Sequence, residues 1–187
     1  MTVRVGVGCL RKQVVFAVIR RAIARVNGMR EDRFRVVEFS VQANHVHFIV
    51  EAEGRTELSC GMRALNARIA KQVNRVLGRR GQLMSERHHE QPLRCPRAVR
   101  HALCYVLANF RKHATHEGLG GEPLDICSSA RYFGGFLELN STTSRETSGP
   151  RRARGAPVAS ARTWLLSVGW KKHGLISIHE GPRGAAV

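Results

Sequence analysis

The chain has 187 residues, enough for one domain with a real core plus appended segments but short for two. Its 31 Lys and Arg against 14 Asp and Glu give a formal charge of +17, which favours a polyanionic partner such as nucleic acid. The longest purely apolar run, residues 14–19, is too short to span a bilayer, no secretory signal peptide is visible, and five cysteines without a Cys-x-x-Cys pair argue against a zinc ribbon or a disulfide framework. A reducing cytoplasm is the expected compartment.

Residues 2–7 alternate apolar with small or polar residues, so they read as a strand that begins almost at the first residue. Over residues 11–26, Val14, Val15, Val18, Ile19, Ala22, Ile23 and Val26 recur at helical spacing, with Arg20, Arg21 and Arg25 on the remaining surface. Residues 33–42 and 45–52 are both strand-like, and the short Ala43-Asn44 connection predicts an antiparallel hairpin. A second helix is predicted over residues 56–77, capped by Thr56 and terminated by Gly78. Its apolar stripe is Leu58, Met62, Leu65, Ile69, Val73 and Val76, and Arg63, Arg68, Lys71 and Arg75 decorate the rest.

The loop Gly78-Arg79-Arg80-Gly81 offers backbone amides and guanidinium forks that suit phosphate oxygens, although a plain solvated basic turn explains it equally well. Residues 82–93, which contain Arg87, His88 and His89, read as a short strand-like stretch. Pro96 suits the first turn of a third helix running to about residue 113, with Val99, Leu103, Val106, Leu107 and Phe110 as its apolar stripe. Tyr105 and Asn109 share a flank of that helix above the small Ala98 and Ala102. A tyrosine beside an apolar stripe is usually a core residue, so the flank alone carries little.

Beyond the first domain, taken as residues 1–117, residues 118–140 form an extension. Residues 141–161 are rich in Ser, Thr, Arg, Gly and Pro and are expected not to pack, because they lack the apolar area to offset the entropy of ordering. Residues 162–187 contain both tryptophans, Trp164 and Trp170, and are expected to dock on the core. The order of elements predicts an α+β fold, an antiparallel sheet with helices packed on it.

The stretch Asn44-His45-Val46-His47-Phe48 then acquires a chemical reading. On a strand, His45 and His47 project to one face while Val46 and Phe48 go to the other, and two neutral imidazoles side by side can hold a divalent cation. With the third helix lying over this strand, Asn109 completes a cation site and Tyr105, one turn away, addresses the same phosphate. Arg63, Arg68, Lys71 and Arg75 of the second helix, with Arg79, Arg80 and Arg87, are the expected DNA contacts.

These residues resemble the single-tyrosine HUH transposases of the IS200 type, and most of all the REP-associated tyrosine transposases. The resemblance spans residues 2–115 and rests on the His-Val-His strand and on Leu-Arg-Cys-Pro-Arg-Ala-Val-Arg-His-Ala-Leu leading into a helix that bears Tyr-Val-Leu-Ala-Asn. It implies a ferredoxin-like HUH endonuclease fold, His45 and His47 as metal ligands, Tyr105 as nucleophile and Asn109 as the residue completing the site. It also implies Mg²⁺ or Mn²⁺, single-stranded DNA with REP-like hairpins, and a 5′-phosphotyrosine product with a free 3′-OH. The setting would be the bacterial cytoplasm and nucleoid, without a membrane, as a monomer or homodimer. Members of that family carry aromatics where Met84 and His88 stand here, and a basic, Pro-rich lead-in before the first strand that this chain does not show.

Two other readings stand beside it. A catalytically inactive, domesticated nucleic-acid-binding protein of the same fold would bind strands through charge alone, although Phe34, Phe39 and Phe48 form no RNA-recognition run. A hydrolase using His-x-His with His88 or His89 would need carboxylates, and only Glu86 and Glu90 lie near those histidines in sequence.

Overall fold

A computed structural model describes residues 1–5, 9–30, 32–84, 89–108, 124–140 and 155–181 of the chain. The architecture is α+β, built on a three-stranded antiparallel sheet in the order β1-β3-β2, with β1 at Thr2–Arg4, β2 at Phe34–Val41 and β3 at His45–Ala52. The β2–β3 hairpin pairs Val41 with Val46, Ser40 with His47, Phe39 with Phe48 and Glu38 with Ile49. A bulge between Val36 and Glu38 inserts one extra residue. That residue restores the parity of the strand: Phe34, Val36, Phe39 and Val41 all reach one core, whereas an unbroken alternation would have turned half of them away.

Two helices cover that apolar face, α1 at Gln13–Arg30 and α2 at Arg55–Val76. Their stripes meet Val3, Val46 and Phe48 in one core that includes Ile19, Ile23, Leu65 and Ile69. Val14 and Val76, expected in those stripes, are instead exposed at the margins. Helix α2 begins one residue earlier than predicted, with Gly54 as N-cap and no side-chain cap, so Thr56 does not cap it. Its end follows the prediction, since Gly78 adopts a positive φ of 62° just past the C-cap Leu77. Gly61 is required by packing: a Cβ there would overlap the Phe34 ring.

The opposite face of the sheet receives helix α3, Pro96–Ala108, which begins at the predicted proline. Val99, Leu103, Val106 and Leu107 pack with Ile49 in a second core. Of the stretch expected as a strand over residues 82–93, the described residues form two isolated bridges, Met84 with Val5 and His89 with Thr2.

The later segments cover the β2 edge and α3. Arg11 grips Asp125 through both guanidinium nitrogens, at 2.7 and 3.0 Å, and reaches Val41 O at 2.9 Å. Ser129 N donates to Phe39 O at 2.9 Å and Ser129 Oγ accepts from Phe39 N at 2.9 Å, so a turn at Ala130–Tyr132 and a short helix α4 at Leu137–Asn140 follow from an edge already paired. The expectation that residues 141–161 do not pack is corrected for their end. Val158 is buried in the two-helix core, Ala159 N donates to Val36 O, and Asn27 Nδ2 donates to Pro157 O at 3.0 Å. Residues 141–154 lie outside the described ones. Ala156-Pro157-Val158-Ala159 is an apolar run inside a polar segment, and an unfilled backbone edge at β2 gives it hydrogen bonds.

The described part of the tail, residues 162–181, docks on the core. Helix α5, Trp164–Ser167, and a turn at Gly169–His173 lie against α3, with Trp170 buried and its ring 5.5 Å from Phe133. Glu51, at the end of β3, accepts from Arg162 N and Thr163 N at 2.9 Å each, from Thr163 Oγ1 at 2.6 Å and from Arg35 Nη1 at 3.1 Å. Arg100 on α3 holds both carboxylate oxygens of Glu180 at 2.7 Å. All five cysteines are free, and among the described residues no helix is long and apolar enough to cross a membrane.

Candidate active site

Strand alternation does what the sequence implies for β3: His45 and His47 lie on the face turned to α3, while Val46 and Phe48 enter the two-helix core. The Nε2 atoms of the two histidines are 2.9 Å apart, their ring centroids 4.6 Å apart and their planes 83° apart. Each Nδ1 is anchored from behind. Asn44 Oδ1 sits 2.7 Å from His45 Nδ1, and Thr2 Oγ1 sits 2.9 Å from His47 Nδ1. Both rings are therefore held with Nε2 turned toward the other ring.

Burial pushes His47 down to about 3, with His45 and the N-terminal ammonium as lesser causes. A ring so disposed stays neutral at physiological pH and retains the lone pair that a metal ligand needs. Two neighbouring nitrogen ligands about 2.1 Å from one divalent ion stand about 3.0 Å apart when they subtend a right angle. The observed 2.9 Å matches that span without rearrangement. Imidazole donors suit Mn²⁺ better than Mg²⁺, which favours oxygen. Among the described residues no group of three or more His, Cys, Asp or Glu surrounds a cation-sized space, so these side chains would supply two ligands to a cation.

Tyr105 comes to this pair from α3. Its ring meets His47 edge to face at 5.0 Å between centroids, with the planes 78° apart. The helix is fixed in place by its apolar side on Ile49 and by the tail that Arg100 and Trp170 fasten to it. The expected partner Asn109 lies outside the described residues, as do Arg87 and His88. Tyr132, half-buried, is in the turn beside the β2 edge.

The expected DNA-contact residues occupy another place. Arg63, Arg68, Lys71 and Arg75 are on α2, and Arg79 and Arg80 follow it. The buried side of α2, Met62, Leu65, Ile69 and Val73, packs on the sheet face opposite to His47. The sheet thus separates the histidine–tyrosine cluster from this basic surface, which Arg20, Arg21 and Arg25 of the neighbouring α1 extend. Arg63, Lys71, Arg75 and Arg80 are exposed, whereas Arg68 turns to Met29 Sδ at 3.1 Å and Arg79 to Gln82 O at 3.3 Å.

Two residues behind the histidines have no signal in the sequence that marks their role. Asn44 is legible as the hairpin residue next to His45, but nothing local identifies its amide as a ring anchor. Thr2 is not legible at all, because only the register of β1 against β3 sets it opposite His47. No protein-family model matches the chain, and no curated protein or solved structure proves similar to it.

Proposed function

We propose that this chain is a metal-dependent single-stranded DNA endonuclease and strand transferase of the single-tyrosine HUH kind, on a ferredoxin-like sheet. The observation that carries the reading is the 2.9 Å convergence of His45 and His47 Nε2 with the Tyr105 ring packed on His47. His45 and His47 would hold Mn²⁺ or Mg²⁺, with Asn109 the expected third ligand. Bound there, a divalent cation polarises the scissile phosphate and steadies developing negative charge.

The chain's own residues do the rest. Tyr105 Oη attacks phosphorus, the phosphorus–O3′ bond breaks, and the products are a 5′-phosphotyrosine and a free 3′-OH that carries the proton. The basic surface across the sheet binds phosphates of the same DNA, for which hairpin-bearing, REP-like single strands in the bacterial nucleoid are the proposed substrate, acted on by a monomer or homodimer. A second reading, a domesticated binder of the same fold without cleavage, draws on that surface alone, since its charge attracts strands whether or not Tyr105 reacts.

The test incubates end-labelled single-stranded hairpin DNA with the protein and Mn²⁺ and seeks label that stays with the protein on a denaturing gel. A covalent adduct supports the transferase. Tight binding without adduct, or cleavage leaving an unlinked 5′-phosphate, overturns it.

A further inference from the structure

With both rings neutral, the hydrogen bonds around the two imidazoles cannot all be satisfied in both the cation-free and the cation-bound state unless one ring changes tautomer. A carboxamide oxygen only accepts, so Asn44 Oδ1 at 2.7 Å requires the proton of His45 to sit on Nδ1. Neutral His45 then presents a lone pair at Nε2. His47 Nε2 is 2.9 Å away, too close for two facing lone pairs, so without a cation His47 carries its proton on Nε2 and donates it to His45. His47 Nδ1 is then an acceptor, and the Thr2 hydroxyl 2.9 Å away is its donor.

Cation binding by both Nε2 atoms demands the opposite arrangement at His47. Its Nε2 proton leaves, Nδ1 takes one up, and the ring remains neutral overall. His47 is buried, so its Nδ1–H must then find an acceptor within the protein. Thr2 Oγ1 serves again, because a hydroxyl that donated in the first state accepts in the second after rotating about one bond. A hydroxyl satisfies both tautomers without moving its heavy atom, which neither a carboxylate nor an ammonium can do.

We infer that Thr2 is a positioning residue for cation binding: its hydroxyl reverses direction as His47 exchanges tautomers, while Asn44 holds His45 in one tautomer throughout. The inference rests on the proposed cation role of His45 and His47. The two states are not equivalent for Thr2. Its bond to neutral, metal-free His47 is an ordinary one, whereas Nδ1–H of a ring ligating a cation is polarised and bonds more strongly. Deleting the hydroxyl therefore costs the bound state more and weakens the cation rather than merely the fold.

The test uses full-length protein and reads binding, not turnover. Free Mn²⁺ is followed by electron paramagnetic resonance with wild type, Thr2→Val, Thr2→Ser, Asn44→Asp and His47→Ala. Thr2→Val should lose about 10- to 100-fold in Mn²⁺ affinity, Thr2→Ser should restore it, and Asn44→Asp, which keeps an acceptor and no donor, should bind at least as well as wild type. Nitrogen-15 spectra of the imidazoles with diamagnetic Zn²⁺ as probe should show His47 passing from a protonated Nε2 to a protonated Nδ1, with His45 Nδ1 protonated in both states. Thr2→Val binding Mn²⁺ like wild type, or an unchanged His47 tautomer, overturns this inference while His47→Ala still loses the ion. Equal binding by wild type and His47→Ala overturns the functional reading itself, and this inference with it.

Discussion

Tyr105 stands edge-on to His47, with ring centroids 5.0 Å apart, although the two residues come from different elements and lie far apart in the chain. The contact ties the proposed nucleophile to a proposed ligand on β3, the strand paired on both sides by β1 and β2. Phenylalanine preserves this packing and removes only the hydroxyl. Tyr105→Phe should therefore keep Mn²⁺ and DNA affinity near wild type and yield no covalent adduct on a denaturing gel. His47→Ala should lose both the ion and the adduct. An adduct that persists in Tyr105→Phe would move the nucleophile elsewhere.

The separation of charge from the histidine cluster makes its own prediction. Arg63, Lys71 and Arg75 are exposed on α2, across the sheet from His47. Replacing all three with Gln should weaken DNA binding evenly across sequences and reduce the slope of log affinity against log salt by about one for each phosphate no longer neutralised. Mn²⁺ affinity should not move. Binding isotherms at several salt concentrations check the first part, and a slope unchanged by the triple substitution would place the DNA on another surface.

Glu51 joins β3 to the tail and to Arg35. Glu51→Ala removes the carboxylate that Arg35 Nη1 meets at 3.1 Å, and with it the acceptor of Arg162 N, Thr163 N and Thr163 Oγ1. Breaking a buried pair by deleting one partner costs about 3–5 kcal/mol. Urea unfolding should register a loss of that order. Protease cleavage near residue 162 should accelerate in the same variant.

Gly61 offers a cleaner test of packing. Its α2 position sits against Phe34, and a methyl group there would overlap the ring. In an open helix Gly→Ala stabilises by about 1 kcal/mol, whereas overpacking a core costs about 1–3 kcal/mol. Gly61→Ala should therefore destabilise despite its better helix propensity. Adding Phe34→Leu should recover part of the loss, which a double-mutant cycle in urea would measure.

What the sequence by itself determined is periodic and local. The two-residue repeat of β3 sufficed to set His45 and His47 on one face, the helical stripes marked which sides of α1, α2 and α3 are buried, and Pro96 and Gly78 marked where helices start and stop. Such signals lie within a few residues of each other, where backbone geometry alone relates side chains. Only the tertiary structure decided which face of the sheet each helix covers, and so it parted the basic α2 surface from Tyr105, a relation that no local spacing fixes. It also brought Thr2 to His47 through strand register and drew the apolar residues 156–159 onto the β2 edge although the segment around them is polar. Composition describes a segment's own apolar area, whereas a free strand edge and a complementary pocket are properties of the rest of the chain, formed only when distant elements meet.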